Sequence, residues 1–331
     1  MHHRLMADSP VVICLGEALV DRLGPPGGDP ASDQPVDDRL GGAPANVACG
    51  LARLGTGVAL ITRLGRDPIG AAFAALLRQR GVDQRAVQED PERPTRVVLV
   101  RRSPSGERQF QGFAGDRGQG FADEALALAE LRRAWSGLAD QAAWLLVGTI
   151  PLAAPAATES LNWVVDDARR RGMTIALDVN WRPTFWDAEA DPAAGPPPSA
   201  CSAIRPLLEQ AALIKLAREE ALWLFAVDDP VVIRDALPQR PDVVVTDGAA
   251  PLRWSIAGDQ GSLAVSPPPH LVDTTGAGDA FTAGLLHAWS RPVDERIRFA
   301  AACGALVCSG AGAIDPQPTQ PEVAAFLGAI N

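Results

Sequence analysis

Apolar residues along this chain follow two alternating rhythms. Short apolar runs at 11–15, 58–61, 143–147, 174–178, 213–215 and 243–246 predict buried strands. Between and after them, apolar positions at helical spacing predict helices over 45–54, 69–79, 123–135, 156–171, 204–209, 218–225, 231–236, 276–288, 295–307 and 322–330. Gly55 and Gly81 stand where the first two of these helices must stop. Some stretches break the rhythm. Segments 95–100 and 108–113 flank the polar turn 103–106, a hairpin signal, and read as a flap outside the central sheet. A second hairpin-like region spans 252–265. Residues 21–38, rich in Pro, Gly and Asp, read as loop with short strand pieces, and 192–198 as a surface spacer. The alternation predicts an α/β fold, a doubly wound and mostly parallel sheet with helices on both faces.

Composition narrows the partners. Thirty Lys plus Arg against forty Asp plus Glu give a net charge of -10, and no basic block stands out, so a nucleic-acid backbone is not an expected partner. The segment 1–10 is polar and lacks signal-peptide form, and no apolar run reaches the ~18 residues a membrane span needs. The odd set Cys14, Cys49, Cys201, Cys303 and Cys308 has no metal-ligand spacing. It reads as small buried hydrophobes in a cytoplasmic protein.

Candidate chemistry is concentrated in a few segments. In Asp273-Thr-Thr-Gly-Ala-Gly-Asp279, the residues Gly276, Ala277 and Gly278 sit where a helix must start, so backbone N–H groups and the helix dipole can face an anion. Asp279 at that mouth can accept a proton from an attacking hydroxyl, or can simply cap the helix. Asp21 follows the first strand, as a ligand-facing carboxylate or a solvated loop residue. Gly41 and Gly42 allow close backbone approach, and Asn46 offers a donor and acceptors to hydroxyls or starts a helix. In Asp178-Val-Asn-Trp-Arg182, alternate polar residues share a face while extended. Arg182 can grip a phosphate or an acidic sugar, or pair with an Asp structurally.

These segments together resemble the ribokinase-like (PfkB) carbohydrate kinases, over nearly the whole chain from 11 to 330. Gly16-Glu-Ala-Leu-Val-Asp21, Gly41-Gly-Ala-Pro-Ala-Asn46 and Ala302-Cys-Gly-Ala-Leu306 look most like the fructokinase branch. The resemblance implies a single catalytic domain over 11–330, with a small β lid built from parts of 21–40 and 95–113. It implies ATP-dependent phosphorylation of a sugar, with Asp279 as base, Gly276–Gly278 as anion hole, and Asp21, Gly42 and Asn46 on the sugar, with Gly41 beside them. Lys215 and Glu220 match a Lys-x-Asn-x-x-Glu segment near magnesium and phosphate, Glu220 acting through water, although Ala217 replaces the Asn. Thr246 and Gly248 match a nucleotide-side loop whose second glycine is Pro251 here. A K⁺ site would take oxygens from Asp273, Thr275, Val307, Gly310 and Gly312, where the alternative is a plain glycine turn under the anion hole. The resemblance also allows a homodimer through the lid.

Other classes fail on motif. No Gly-x-Gly-x-x-Gly opens a first helix and no Gly-x-x-x-x-Gly-Lys-Ser/Thr occurs, against a dinucleotide-dependent dehydrogenase and a Walker-type NTPase. A sugar-binding protein without catalysis would not need Asp279 in its setting. Within the kinase reading, Asp21 and Asn46 suit a neutral polyol, D-fructose. The alternative is 2-keto-3-deoxygluconate, which Arg182 could pair with, and which the lid residues Arg101, Arg102 and Arg108 could reach; ribose or a nucleoside ranks lower. The chain has no Tyr, so the Tyr hydroxyl of many acid-sugar kinases of the family is missing.

Overall fold

The computed structural model describes residues 11–103, 108–140 and 142–330. The tail 1–10 and residues 104–106 of the expected turn lie outside them. The strands are β1 (Val12–Leu15), β2 (Leu19–Pro26), β3 (Asp37–Gly41), β4 (Val58–Gly65), β5 (Val87–Asp90), β6 (Val97–Arg102), β7 (Arg108–Ala114), β8 (Trp144–Val147), β9 (Thr174–Asp178), β10 (Leu213–Ala217), β11 (Asp242–Asp247), β12 (Ala250–Ile256) and β13 (Asp259–Leu263). Among the described residues they form a nine-stranded sheet, ordered β13-β12-β11-β10-β9-β8-β1-β4-β5, and a four-stranded sheet, ordered β3-β2-β6-β7. In the large sheet β5 through β11 run parallel and β12 and β13 close one edge antiparallel. This is the doubly wound arrangement expected from the alternation of strands and helices.

Burial explains why the central strands read as continuous apolar runs. All of Val12–Leu15 and Trp144–Val147 is buried, because helices cover both faces. Period-two alternation divides each strand between two cores. Val12, Cys14, Leu60 and Leu146 pack with the helices Ala43–Leu54, Ala277–His287 and Val293–Val307. Ile13, Leu15, Ile61 and Leu145 pack with Leu131, Trp135, Leu161 and Ile204 on the opposite face.

Helix starts and stops follow the local chemistry. Gly55 and Gly81 end their helices in the left-handed conformation, at φ 92° and 76°. The helices Ala43–Leu54 and Ala277–His287 pack closely where Gly50 meets Ala283: a Cβ on Gly50 would lie 3.0 Å from the Ala283 Cβ. That close approach brings the start of each helix to one place above the sheet.

The structure differs from the sequence reading in several elements. Residues 21–38 are turn and irregular chain over 27–36, as expected, but their strand pieces are longer and more organised than the composition suggests: β2 runs through Asp21 to Pro26, pairing with β3 antiparallel and β6 parallel. The helix expected over 123–135 is two pieces, a 3₁₀ turn Ala122–Ala125 and a helix Leu128–Ala139. The short helix expected over 204–209 is the longer Pro198–Gln210, entered through a proline in its first turn and continuing past Pro206. Strand β5 was not expected, since Gln88, Glu89 and Asp90 are polar; Gln88 and Asp90 are nonetheless buried through hydrogen bonds to Ala127, Arg63 and Arg93. Among the described residues, no helix is long and apolar enough to cross a membrane.

Candidate active site

A cleft of about 580 Å³ lies between the four-stranded sheet and the carboxyl ends of the parallel strands. Leu19, Asp21, Val98, Val100 and Phe110 line it from the small sheet. Asn46, Arg182, Lys215, Glu220 and the segment 274–279 line it from the body. Crevices beyond strand carboxyl ends are where open α/β sheets bind ligands.

The amino terminus of the helix Ala277–His287 opens into this cleft. Gly276 caps it at φ 79°, and a Cβ there would lie 2.5 Å from the Ala313 Cβ. By position the amides of Gly278 and Asp279 have no intrahelical acceptor, and the helix dipole adds to their pull on an anion. The Ala277 amide is partly committed, donating to the Thr274 carbonyl at 3.2 Å. Gly276→Val should therefore cost both stability and turnover, because it strains the backbone and displaces Ala313. Thermal unfolding and kcat of that variant check the expectation; wild-type values for both would contradict it.

Asp279 occupies the mouth of this helix. Its Oδ2 accepts a hydrogen bond from Asn46 Nδ2 at 2.7 Å. Burial, then the nearby charge of Asp178, raises its pKa from 3.8 to about 6, while Asn46, Lys215 and Arg182 pull the other way. Asn46 is itself buried, and its Oδ1 has no hydrogen-bond partner among the described residues. A Cβ on Gly41 would lie 3.4 Å from Asp21 Oδ2 and 3.9 Å from Asn46 Oδ1, so those two side chains converge on Gly41. Gly42 is at φ 100°, and a Cβ there would lie 2.6 Å from the Glu17 carbonyl oxygen. The glycine pair thus lets the loop close over Glu17 and present Asn46 beside Asp21.

Lys215 sits under the helix start. It is buried, and its Nζ donates to Asp178 Oδ1 at 3.1 Å. That Nζ lies 3.0 Å from where a Cβ on Gly278 would be. Burial disfavours its charge, but Asp178, Glu220 and Asp279 outweigh that and raise its pKa. Glu220 is buried with both oxygens engaged, Oε1 accepting from the Trp181 amide and Oε2 from the Ala217 amide, each at 2.7 Å. Each oxygen keeps a lone pair, so Glu220 can face a divalent ion through water. Burial raises its pKa and Lys215 opposes that rise. Arg182 is exposed on the cleft wall, its Nη1 donating to the Trp181 carbonyl at 2.9 Å.

Gly41, Thr246, Gly248, Asp273, Val307, Gly310 and Gly312 are expected site residues that do not line this cleft. Thr246 pairs in register with Ala217, which does. Gly248 turns the chain at φ 55°, and Pro251 continues into β12. The segments holding Asp273, Thr275, Val307, Gly310 and Gly312 do meet. Asp273 Oδ1 accepts from the Thr275 amide and hydroxyl at 3.0 and 2.7 Å, and its Oδ2 accepts from the Gly312 amide at 2.9 Å. Gly310 N–H donates to the Val307 carbonyl at 3.3 Å.

The lid cations correct one expectation. Arg101 and Arg102 do not reach for the ligand: their Nε atoms donate to the Gly28 and Gly24 carbonyls. The Arg108 side chain lies outside the described structure. Arg96 is the buried cation here, paired with Asp123 and stacked over Phe113, Phe121 and Phe185. Sequence reasoning missed Glu17 and Gln317. Glu17 lines the cleft, accepts from the Ala43 amide at 2.9 Å, and is raised by burial to about 8. Its signal was a carboxylate just past the first strand. Gln317 Nε2 donates to the Asn46 and Ala313 carbonyls at 2.9 Å each, and nothing in its sequence setting marked it.

The chain has recognisable relatives in sequence and in fold. Residues 10–320 match the family described as pfkB family carbohydrate kinase. The chain is 33% identical to a fructokinase of Escherichia coli over 322 residues, covering 93% of this chain and 96% of that protein. It is 32% identical to fructokinase-1 of Oryza sativa subsp. japonica over 328 residues, covering 95% and 97%. Among solved structures it resembles a fructokinase with bound ATP from Xylella fastidiosa, at TM-score 0.80 and 25% identity over 96% of this chain and 98% of that one. It also resembles a fructokinase from Vibrio cholerae O395 bound to fructose, ADP and calcium ion, at TM-score 0.77 and 27% identity over 96% and 99%. The protein belongs to the pfkB family of carbohydrate kinases.

Proposed function

We propose that the protein transfers the γ-phosphoryl group of ATP to the primary hydroxyl of D-fructose, giving fructose 6-phosphate. The observation that carries the reading is the Asn46–Asp279 pair. Asp279 is poised to take a proton at the amino terminus of a helix, and the partner that holds it, Asn46, lines the same cleft and carries an acceptor with no hydrogen-bond partner among the described residues. A sugar hydroxyl supplies the hydrogen that Asn46 Oδ1 lacks, and Asp21 supplies further acceptors. The acceptor hydroxyl gives its proton to Asp279 as its oxygen attacks the γ-phosphorus. The bond to the β–γ bridging oxygen then breaks and ADP departs. The Gly276–Gly278 backbone and Lys215 stabilise the charge carried by the phosphoryl oxygens. The four-stranded sheet serves as the lid that excludes water.

Mg²⁺ would neutralise phosphate charge, and Glu220 is the cleft residue suited to face it through water. Thr246, on the strand beside Ala217, and Gly248, in the turn just after that strand, would stand on the nucleotide side. A K⁺ ion at the meeting of 273–275 with 307–312 would be held by oxygens of Asp273, Thr275, Val307, Gly310 and Gly312. That reading is supported by the contact of Asp273 with Gly312. Turnover should rise when K⁺ is added to buffer free of sodium and potassium. Full turnover without any monovalent cation would reject that site.

One observation favours a second substrate: Arg182 is exposed on the cleft wall, where a substrate carboxylate could meet it. An ADP-coupled assay comparing kcat/KM for fructose, ribose, 2-keto-3-deoxygluconate and adenosine decides between them, with fructose expected to lead. If the keto-deoxy acid leads by about tenfold, the cleft prefers its transition state by about 1.4 kcal/mol and the fructose reading fails.

A further inference from the structure

Asp178 ends β9 and stands opposite Lys215 in the register of β9 with β10. In that register the two side chains share a face of the sheet, the face under the helix Ala277–His287. The carboxylate is buried and divides its oxygens. Oδ1 accepts from Lys215 Nζ at 3.1 Å, and Oδ2 accepts from the Thr282 hydroxyl at 2.8 Å. Thr282 stands one turn after Asp279 on the same helix, and its hydroxyl also lies 3.0 Å from the Gly278 carbonyl oxygen. Gly278 brings the chain back beside Lys215, whose Nζ lies 3.0 Å from where a Cβ on Gly278 would be, so a side chain there would push on the ammonium. Lys215, Asp178, Thr282 and the Gly278 carbonyl therefore form one continuous run of polar contacts beneath the helix start.

We infer that Asp178, anchored by Thr282, is a positioning residue for phosphoryl transfer that holds the Lys215 ammonium against the first turn of the helix bearing Asp279. This rests on the kinase reading above. A lysine has a long flexible stem, and its ammonium is useful as a point charge only where it is held. Without Asp178 it can swing toward Glu220 on the helix Arg218–Phe225, a carboxylate whose charge it also feels. The same run of contacts also sets the field at Asp279. The charges facing that carboxyl are Asp178 from β9, Lys215 from β10, Arg182 from the loop after β9, and Glu17 from the loop after β1. Asp178 is the one of these that most disfavours its ionisation.

Thr282→Val removes the anchor while keeping the shape. It should lower kcat by about tenfold, the effect of one lost hydrogen bond at the reacting site, and leave the sugar KM within about twofold. Thr282→Ser should restore kcat. Asp178→Asn should lower kcat further and move the acid limb of its pH profile to lower pH, because a like charge beside Asp279 is gone and Lys215 is no longer neutralised. A purely structural role would lower kcat without moving that limb. Wild-type kcat in Thr282→Val, or an unmoved limb in Asp178→Asn, overturns the inference; if Asp178→Asn does not fold, Thr282→Val and its serine rescue decide alone. Asp279→Ala in parallel separates the two claims. An inactive Asp279→Ala beside an unaffected Thr282→Val removes only the role of Asp178, whereas an active Asp279→Ala removes the reading of the site itself.

Discussion

Asp279→Ala should abolish nearly all turnover, lowering kcat by about 10²–10⁴-fold, the usual contribution of a positioned general base. Its KM values for sugar and nucleotide should stay within about threefold of wild type, because the cleft walls and the helix amides remain in place. Substitution by Asn separates the charge from the shape. The folded carboxyl is raised from 3.8 to about 6, so the folded protein binds this proton more tightly than the unfolded chain does. Ionising it then costs stability, a cost that is absent well below about pH 4 and fully present above about pH 6. Asp279→Asn should therefore unfold at a higher temperature than wild type near neutral pH, with the difference shrinking toward acid. Wild-type turnover, in turn, should rise as pH increases through about 6, since only the ionised carboxyl can accept the proton. A kcat profile flat across that range would contradict the assignment.

Asn46→Ala should be the next most damaging change, and through both substrate and base. The substrate loses an acceptor that has no hydrogen-bond partner among the described residues, and Asp279 loses its 2.7 Å hydrogen bond. Two lost hydrogen bonds of ordinary strength predict a fall in kcat/KM of about 10²-fold. The acid limb of kcat should move to higher pH, because the Asn46 bond is one of the contributions that lower the Asp279 pKa. A variant with reduced kcat/KM but an unmoved limb would mean that Asn46 serves the sugar and not the base.

Much of the fold was legible because its strands are buried on both faces. Thr174–Asp178 and the helix Arg218–Phe225 follow the apolar pattern to the residue. The small sheet was less legible. In β2 the sequence Asp-Arg-Leu-Gly-Pro-Pro has the composition of a loop, and what makes it a strand is pairing with β6, far along the chain. The helix Pro198–Gln210 was hidden by prolines that sit in its first turn and interior. In the site, the glycines could be read locally, because Gly42 and Gly276 need backbone angles that other residues resist. The contacts could not. Asn46 and Asp279 are separated by 233 positions, and their hydrogen bond depends on two helices crossing at Gly50 and Ala283. Gln317 shows the same limit, since its worth lies in reaching two carbonyls on different segments.

The most direct test of phosphoryl transfer to a primary hydroxyl with Asp279 as base is to identify the product. Incubation with ATP, Mg²⁺ and fructose, followed by proton–phosphorus correlation NMR, should show a new ester on the terminal hydroxymethyl group, formed by the wild-type chain and not by Asp279→Ala. An ester on a secondary or anomeric hydroxyl, or equal product from both proteins, would contradict the account.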